Sequence, residues 1–331
     1  SGRLWLSNDG DDETGNDRVA CPKGGAPVSV IASGLDARCL TRTCIGRGHH
    51  VAAFSFPTPG HPAVPKLAFV SNLLDGTISV FGNDTNLPQS FLKVIGTIDL
   101  VEPDKEKTSD PANKNSAFPH GMVYSPVTGK IYNLNNGYGS ITVIDPVNLS
   151  VLSRIALTKC SNLLLDPSGR YALAKGADRK ADPDHVMGQL AVVDLSTETV
   201  VTKLEIPDFY PSTFRFDPSG KKLYVTSAAT GKGAQRRNLR LQSILVFDAD
   251  RLPQLHQLAS LEVGRADCDR RPLAFFPSIG ATRLMFFPNP TDGTLSIFDA
   301  HSDTNLQTVT LGRSDSSEIL FSFWDGTING S

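Results

Sequence analysis

Histidine is scarce in this chain, with 7 residues among 331, and several stand where they could bind one metal ion together. His49 and His50 are adjacent, and His120 lies in a Phe-Pro-His-Gly segment. Neutral imidazole binds copper, zinc and iron. We therefore expect His50 and His120 to hold a metal, with copper as the preferred ion and His49 and His185 as further ligands. The alternative is that these histidines are ordinary hydrogen-bonded residues at the starts of strands.

An enzymatic alternative uses His120 as a base with Arg271 or Tyr210 as the electrophilic partner. These types of residue could support a lyase or a lactone hydrolase. The chain contains no Gly-x-Ser-x-Gly, His-Glu-x-x-His or Cys-x-x-Cys segment that would indicate another nucleophilic or metal-dependent mechanism. Whether the protein is an enzyme stays open at this point.

A second candidate metal site lies near the start of the chain, where acidic residues alternate with glycine and asparagine. Its carboxylates are Asp9, Asp11, Glu13 and Asp17. Carboxylate oxygens are the ligands that Ca²⁺ prefers, although this spacing differs from that of an EF-hand. Calcium binding is one interpretation, and a solvated acidic hairpin loop is the other.

Composition excludes two classes of partner. Lys and Arg number 32 and Asp and Glu 34, so the formal net charge is −2 and no basic excess is available for nucleic acid. No apolar run reaches the ~18 residues of a membrane helix. With 28 Gly and 22 Pro, the chain is instead rich in turns.

The elements that position these residues are repeated short strands. An alternating strand recurs with starts at residues 76, 139, 188, 242 and 293, so the spacings run from 49 to 63 residues. Two copies are preceded by an Asp-Pro-Ser-Gly turn and a second strand, as at 166–169 and 217–220. A strand pattern that recurs at this interval is typical of a β-propeller with four strands in each blade.

We therefore predict an all-β fold: a single propeller domain over 1–331, with six blades by count and seven possible. The N-terminal strands at 3–7 and 27–31 would share the closing blade with a C-terminal strand at 317–322. The segment 101–117 is predicted as an inserted loop, and 8–24 and 229–240 as long hairpin loops. Aligning the repeats places these residues at one mouth of the central channel: His50 or Val51, His120, Ser161, Ser212, Arg271, and Ser317 or Glu318.

Asp217–Ser227, which reads Asp-Pro-Ser-Gly-Lys-Lys-Leu-Tyr-Val-Thr-Ser, resembles the YVTN-type β-propeller repeat family. That resemblance covers most of 50–311 and implies the fold but no particular function. Phe118-x-His120 with a later loop histidine is also similar to the copper site of secreted methanotroph copper-binding propellers. In that family an oxidised Trp stands where this chain has Phe118.

The chain has five cysteines, and their pairing indicates the cellular compartment of the protein. We expect Cys39 and Cys44 to close a small loop and Cys160 to approach Cys268, while an odd total leaves one thiol. Disulfides would favour a periplasmic or secreted protein whose signal peptide has been removed. The expected partners are a metal ion or small molecule in the channel and, if the protein is a scaffold, another protein at loops 101–117 and 231–240.

Overall fold

The computed structural model describes residues 3–7, 21, 25–33, 37–106, 115–268, 271–276 and 283–312. Within these ranges the chain forms 23 strands, one short α-helix, α1 (Ala234–Asn238), and a 3₁₀ turn at Ala249–Arg251. The predicted all-β class is confirmed.

The strands form six antiparallel sheets, one of three strands and five of four, and within each sheet they follow chain order. The first two sheets contain β1 (Arg3–Ser7), β2 (Pro27–Ala32) and β3 (Cys39–Cys44), and then β4 (His49–Ser55), β5 (Leu67–Asn72), β6 (Thr77–Gly82) and β7 (Val94–Asp99). The next two contain β8 (Pro119–Ser125), β9 (Lys130–Asn135), β10 (Ser140–Asp145) and β11 (Ser150–Ala156), and then β12 (Asn162–Leu165), β13 (Tyr171–Asp178), β14 (Met187–Asp194) and β15 (Thr199–Pro207). The last two contain β16 (Pro211–Phe216), β17 (Lys222–Ser227), β18 (Ser243–Asp248) and β19 (His256–Glu262), and then β20 (Ala274–Phe275), β21 (Leu284–Asn289), β22 (Thr294–Asp299) and β23 (Thr304–Thr310). Six sheets confirm the six repeats that the sequence predicts.

Position within a sheet explains the composition of each strand. Central strands such as β10 are covered on both faces, and Ile141, Val143 and Ile144 have no exposed surface. The fourth strands, such as β11, alternate exposed and covered residues because only one face packs on the protein. Apolar third strands and alternating fourth strands are therefore the pattern that the repeats display.

The Asp-Pro-Ser-Gly turns join first and second strands as predicted. In the turn at 166–169, the Gly169 N–H donates to the Asp166 carbonyl at 2.9 Å. The Asp166 carboxylate accepts from the Tyr171 N–H at 2.6 Å, and Gly169 has a φ of 76° that favours glycine. Asp217 repeats the arrangement by accepting from the Lys222 N–H at 2.8 Å.

The chain divides into two compact units, one mainly of Ser1–Leu165 and the other mainly of Asp166–Asp194 and Thr199–Asn329. The first has an apolar core that includes Phe69 and Ile78, and the second has a core that includes Phe287. A single propeller domain over the whole chain stays a prediction. The predicted C-terminal strand at 317–322 lies outside the described residues.

The segment 229–240, predicted as a long hairpin loop, lies between the antiparallel strands β17 and β18 and contains α1. The Gln235 side chain in this helix donates to the carbonyl oxygens of Arg179, Asp182 and His185 and so holds the helix against the neighbouring loop. No helix in the described part of the chain is long and apolar enough to cross a membrane.

The predicted pairing of Cys39 with Cys44 is wrong, because Cys44 forms a disulfide with Cys21. Cys39 and Cys44 stand at the two ends of β3, about 16 Å apart at the rise of an extended strand, so they cannot be bridged. Cys39 instead donates its thiol hydrogen to the Thr41 carbonyl. Cys160 and Cys268 are also thiols, so the predicted approach of these two does not produce a disulfide.

Candidate functional site

Three of the positions predicted to line one mouth lie at or next to first strands of the first unit, β4, β8 and β12. His49 and His50 open β4, and His120 is the second residue of β8. Strand β8 packs between β4 and β12. A Cβ atom added to Gly121 would stand 2.5 Å from the backbone nitrogen of Leu163, so the backbone beside His120 approaches β12 as closely as only glycine allows.

The histidines occupy β-bulges. Strand β4 pairs His49 with Asn72 and next Ala52 with Val70, so it contains one residue more than its partner across this interval. Strand β8 likewise has His120 as an extra residue between the Pro119 and Gly121 pairs.

A third bulge stands at the start of the first strand β16, between Pro211 and Phe214, and it contains the predicted residue Ser212. Bulges bend a strand, re-aim side chains and occur frequently beside functional sites.

The backbone before these residues takes a left-handed conformation. Gly48, Phe118 and Lys159 have φ values of 69°, 48° and 64°, and each lies two residues before a predicted site residue. Such a φ is uncommon for an aromatic residue. The Phe118 carbonyl accepts from the Asn136 N–H at 3.1 Å, while the residue remains 40% exposed.

His120 is half-buried, and its Nδ1 atom is excluded from solvent. The side chains of His49 and His50 lie outside the described part. Among the described residues no three His, Cys, Asp or Glu side chains gather as metal ligands, so a metal at this position stays a prediction. The proposed calcium ligands Asp9, Asp11, Glu13 and Asp17 also lie outside the described residues.

His185, predicted as a reserve ligand, belongs to the second unit and is exposed. Its Nδ1 lies 2.8 Å from the Asp208 carboxylate, and this hydrogen bond raises the pKa of the imidazole, with the charge of Asp208 adding to the effect. A raised pKa favours the protonated ring, which cannot bind a metal. The local environment of His185 therefore favours an ion pair with Asp208.

The enzymatic candidates Tyr210 and Arg271 also lie in the second unit. Tyr210 packs beside the apolar cluster of Val186 and Leu241, with the Arg179 guanidinium 5.9 Å from its ring centre. Arg271 is buried, and its N–H donates to the Ser212 hydroxyl at 3.2 Å. The structure thus joins two of the residues that the repeat alignment places at equivalent positions.

A repeated backbone contact, which we call a clasp and which was not among the predicted features, positions these segments. In the first unit the Arg47 N–H donates to the Asp75 carboxylate at 2.9 Å, and Gly46 packs on Asn72.

In the second unit the Arg265 N–H donates to the Asp292 carboxylate at 2.5 Å, and Gly264 packs on Asn289. The signal was available as a Gly-Arg pair after the last strand of a sheet together with Asn-x-x-Asp-Gly in the second hairpin turn of the next sheet. These clasps fix the segments leading to the β4 histidines and to Arg271.

Comparison with solved structures gives the fold. A candidate 6-phosphogluconolactonase from Bacteroides uniformis matches with a TM-score of 0.58 and 14% identity, over 94% of this chain and 82% of that one. Kuenenia stuttgartiensis hydrazine synthase matches with a TM-score of 0.57 and 14% identity, over 82% and 70%. Dihydro-heme d1 dehydrogenase NirN, solved in complex with DHE, matches with a TM-score of 0.53 and 14% identity, over 93% of this chain and 53% of that one.

The chain has a β-propeller fold. Identities this low support the fold of the propeller and no activity. No model of a known protein family matches the chain, and a search of curated proteins finds no match. Membership of the YVTN repeat family stays a prediction.

Proposed function

We propose that this propeller is an extracytoplasmic binding protein with a copper site formed by His50 and His120. The observation that supports it is the coincidence of two bulges with the histidines of two neighbouring first strands, β4 and β8. In a propeller these strands line the central channel. An extra residue at the same point of each strand would turn both imidazoles toward one mouth.

The donor set favours a soft or borderline ion. Two imidazoles bind copper more tightly than zinc or iron at the same positions. His49, adjacent to His50 on β4, is a reserve ligand. Calcium at the acidic segment of residues 9–17 stays a separate expectation.

The compartment follows from the cysteines. The disulfide between Cys21 and Cys44 supports an oxidising environment, because such bonds persist in secreted and periplasmic proteins. The expected small partner of the two histidines is a copper ion.

Calorimetric titration of metal-free protein with Cu²⁺ and Zn²⁺ tests the proposal. We expect one copper ion per chain with a dissociation constant below about 1 μM and weaker binding of zinc. His50→Ala and His120→Ala should each weaken copper binding by at least about tenfold. His256→Ala, which removes an exposed histidine on β19, is the matched control and should bind as the parent protein does.

Copper binding weaker than micromolar, or equal binding by the parent protein and His120→Ala, would contradict the proposal. Elemental analysis of the protein after loading with copper and removal of unbound ion separates the alternatives. A propeller lyase, a lactone hydrolase or an interaction scaffold predicts no stoichiometric copper, whereas a copper-binding protein predicts close to one ion per chain after loading.

A further inference from the structure

Arg271 is the largest side chain in the described part of the chain that is wholly shielded from solvent, with 0% exposure. It stands three residues before β20. Its backbone is fixed on both sides, because its N–H donates to the Ser212 hydroxyl and its carbonyl accepts from the Thr226 hydroxyl at 3.0 Å. The guanidinium Nη2 donates to the Gly264 carbonyl at 2.5 Å. The clasp at Gly264 therefore also holds this side chain.

Two other guanidinium nitrogens, Nε and Nη1, are buried and find no hydrogen-bond acceptor among the residues that the structure describes. Within the same residues no carboxylate forms an ion pair with Arg271. Cys268 and Asp292 raise the pKa of Arg271 only through longer-range electrostatic interactions. The Asp292 carboxylate already accepts from the Arg265 N–H. The site thus has a positive charge and two unused donor nitrogens.

Burial lowers the pKa of Arg271 to about 10, so the group remains protonated at neutral pH. A buried charge is expensive unless a counter-charge and hydrogen bonds accompany it. Water could satisfy the two donors but would bring no negative charge. The acceptor that this site needs is therefore anionic.

We propose that a small monovalent anion, a halide or a formate-sized carboxylate, binds beside Arg271 and accepts from its unused nitrogens. Because Arg271 has no exposed surface, a ligand as large as a nucleotide or a sugar phosphate could not reach the guanidinium. The proposed anion site lies in the second unit and uses none of the histidines. Its failure and the failure of the copper proposal are therefore independent.

Thermal unfolding of the full chain at low ionic strength tests the site. Sodium chloride or sodium formate is added up to about 20 mM in a zwitterionic buffer, a range in which general salt effects on a buried site stay small. A specific anion should raise the melting temperature in proportion to the logarithm of its concentration once that concentration exceeds the dissociation constant. The rise should reach about 4 °C at a concentration 100 times the dissociation constant, for a chain of 331 residues. The anion that gives the larger rise at equal concentration identifies whether the site prefers a halide or a carboxylate.

Arg271→Met keeps much of the apolar stem of the side chain but removes the guanidinium and its charge, so its melting temperature should not respond to either anion. Arg265→Met, an exposed arginine of the same segment, is the matched control and should respond as the parent protein does. A flat response in the parent protein, or a rise in the melting temperature of Arg271→Met equal to that of the parent protein, would overturn the proposal.

Crystals of the parent protein grown in sodium bromide give a result that does not depend on the variant folding. We expect an anomalous difference peak within hydrogen-bond reach of Nε or Nη1 of Arg271. A map with no peak at that position, together with a flat formate titration, would refute the anion site.

Discussion

Replacing Gly121 by alanine should displace the strand that carries His120. The added methyl group would stand 2.5 Å from the Leu163 nitrogen and 2.8 Å from the Asn162 Cα. Both are backbone atoms, which cannot move aside by a rotamer change, so β8 and β12 must separate. Overpacking of this kind costs about 1–3 kcal/mol.

For 331 residues the entropy of unfolding is about 0.7 kcal/mol/K, so this cost corresponds to a fall of about 1.5–4 °C in melting temperature. Calorimetry measures the fall directly. Gly60→Ala is the matched control, because a Cβ atom at Gly60 would meet nothing within 4 Å. Its melting temperature should stay within about 1 °C of that of the parent protein.

The same substitution should weaken copper binding, since the bulge that presents His120 begins at the residue before Gly121. If the melting temperature of Gly121→Ala equals those of Gly60→Ala and the parent protein, the close packing of β8 on β12 is refuted. If it melts lower but binds copper unchanged, the link between that packing and the metal site is refuted.

Two further predictions concern the second unit. Asp303→Asn should lower the free energy of unfolding by about 1–3 kcal/mol, because the Asp303 carboxylate accepts from the buried Tyr224 hydroxyl at 2.5 Å and from the Lys222 ammonium at 2.7 Å. Denaturant unfolding would show this loss, and a loss no larger than that of an exposed Asp→Asn substitution would contradict it. The hydrogen bond to Asp208 raises the pKa of His185. The stability that this pair contributes is therefore fully present below the unfolded pKa of about 6.5, and it is lost as the pH rises through the pKa of the folded state. His185→Gln should therefore melt below the parent protein at pH 5.5 and close to it at pH 9, and a difference that does not change with pH would contradict the ion pair.

Most of the fold could be predicted from the sequence because each repeat contains the residues that set its own turns and strands. Asp-Pro-Ser-Gly sets the first hairpin through the Asp166 and Asp217 carboxylates, and glycine at the start of a third strand accepts a positive φ, as at Gly76. Apolar alternation then separates the covered third strands from the half-exposed fourth strands. These signals act within about ten residues, so a single sequence contains them in full.

The candidate site was less predictable because its main features depend on register. The bulge at His120 appears only when β8 is paired with β9, since an extra residue has no signature in the local sequence. The full burial of Arg271 also contradicts the ordinary preference of arginine for the surface. The Cys21–Cys44 disulfide joins a residue outside the strands to the end of β3, a pairing that depends on tertiary position.

X-ray absorption of the protein loaded with one equivalent of copper tests the copper site most directly. The spectrum of the parent protein should show nitrogen ligands with the outer scattering of two imidazoles. The spectrum of His120→Ala should lose one of these imidazoles, while that of His256→Ala should keep both. Identical copper spectra for the parent protein and His120→Ala would contradict the assignment of the site to the bulged histidines of β4 and β8.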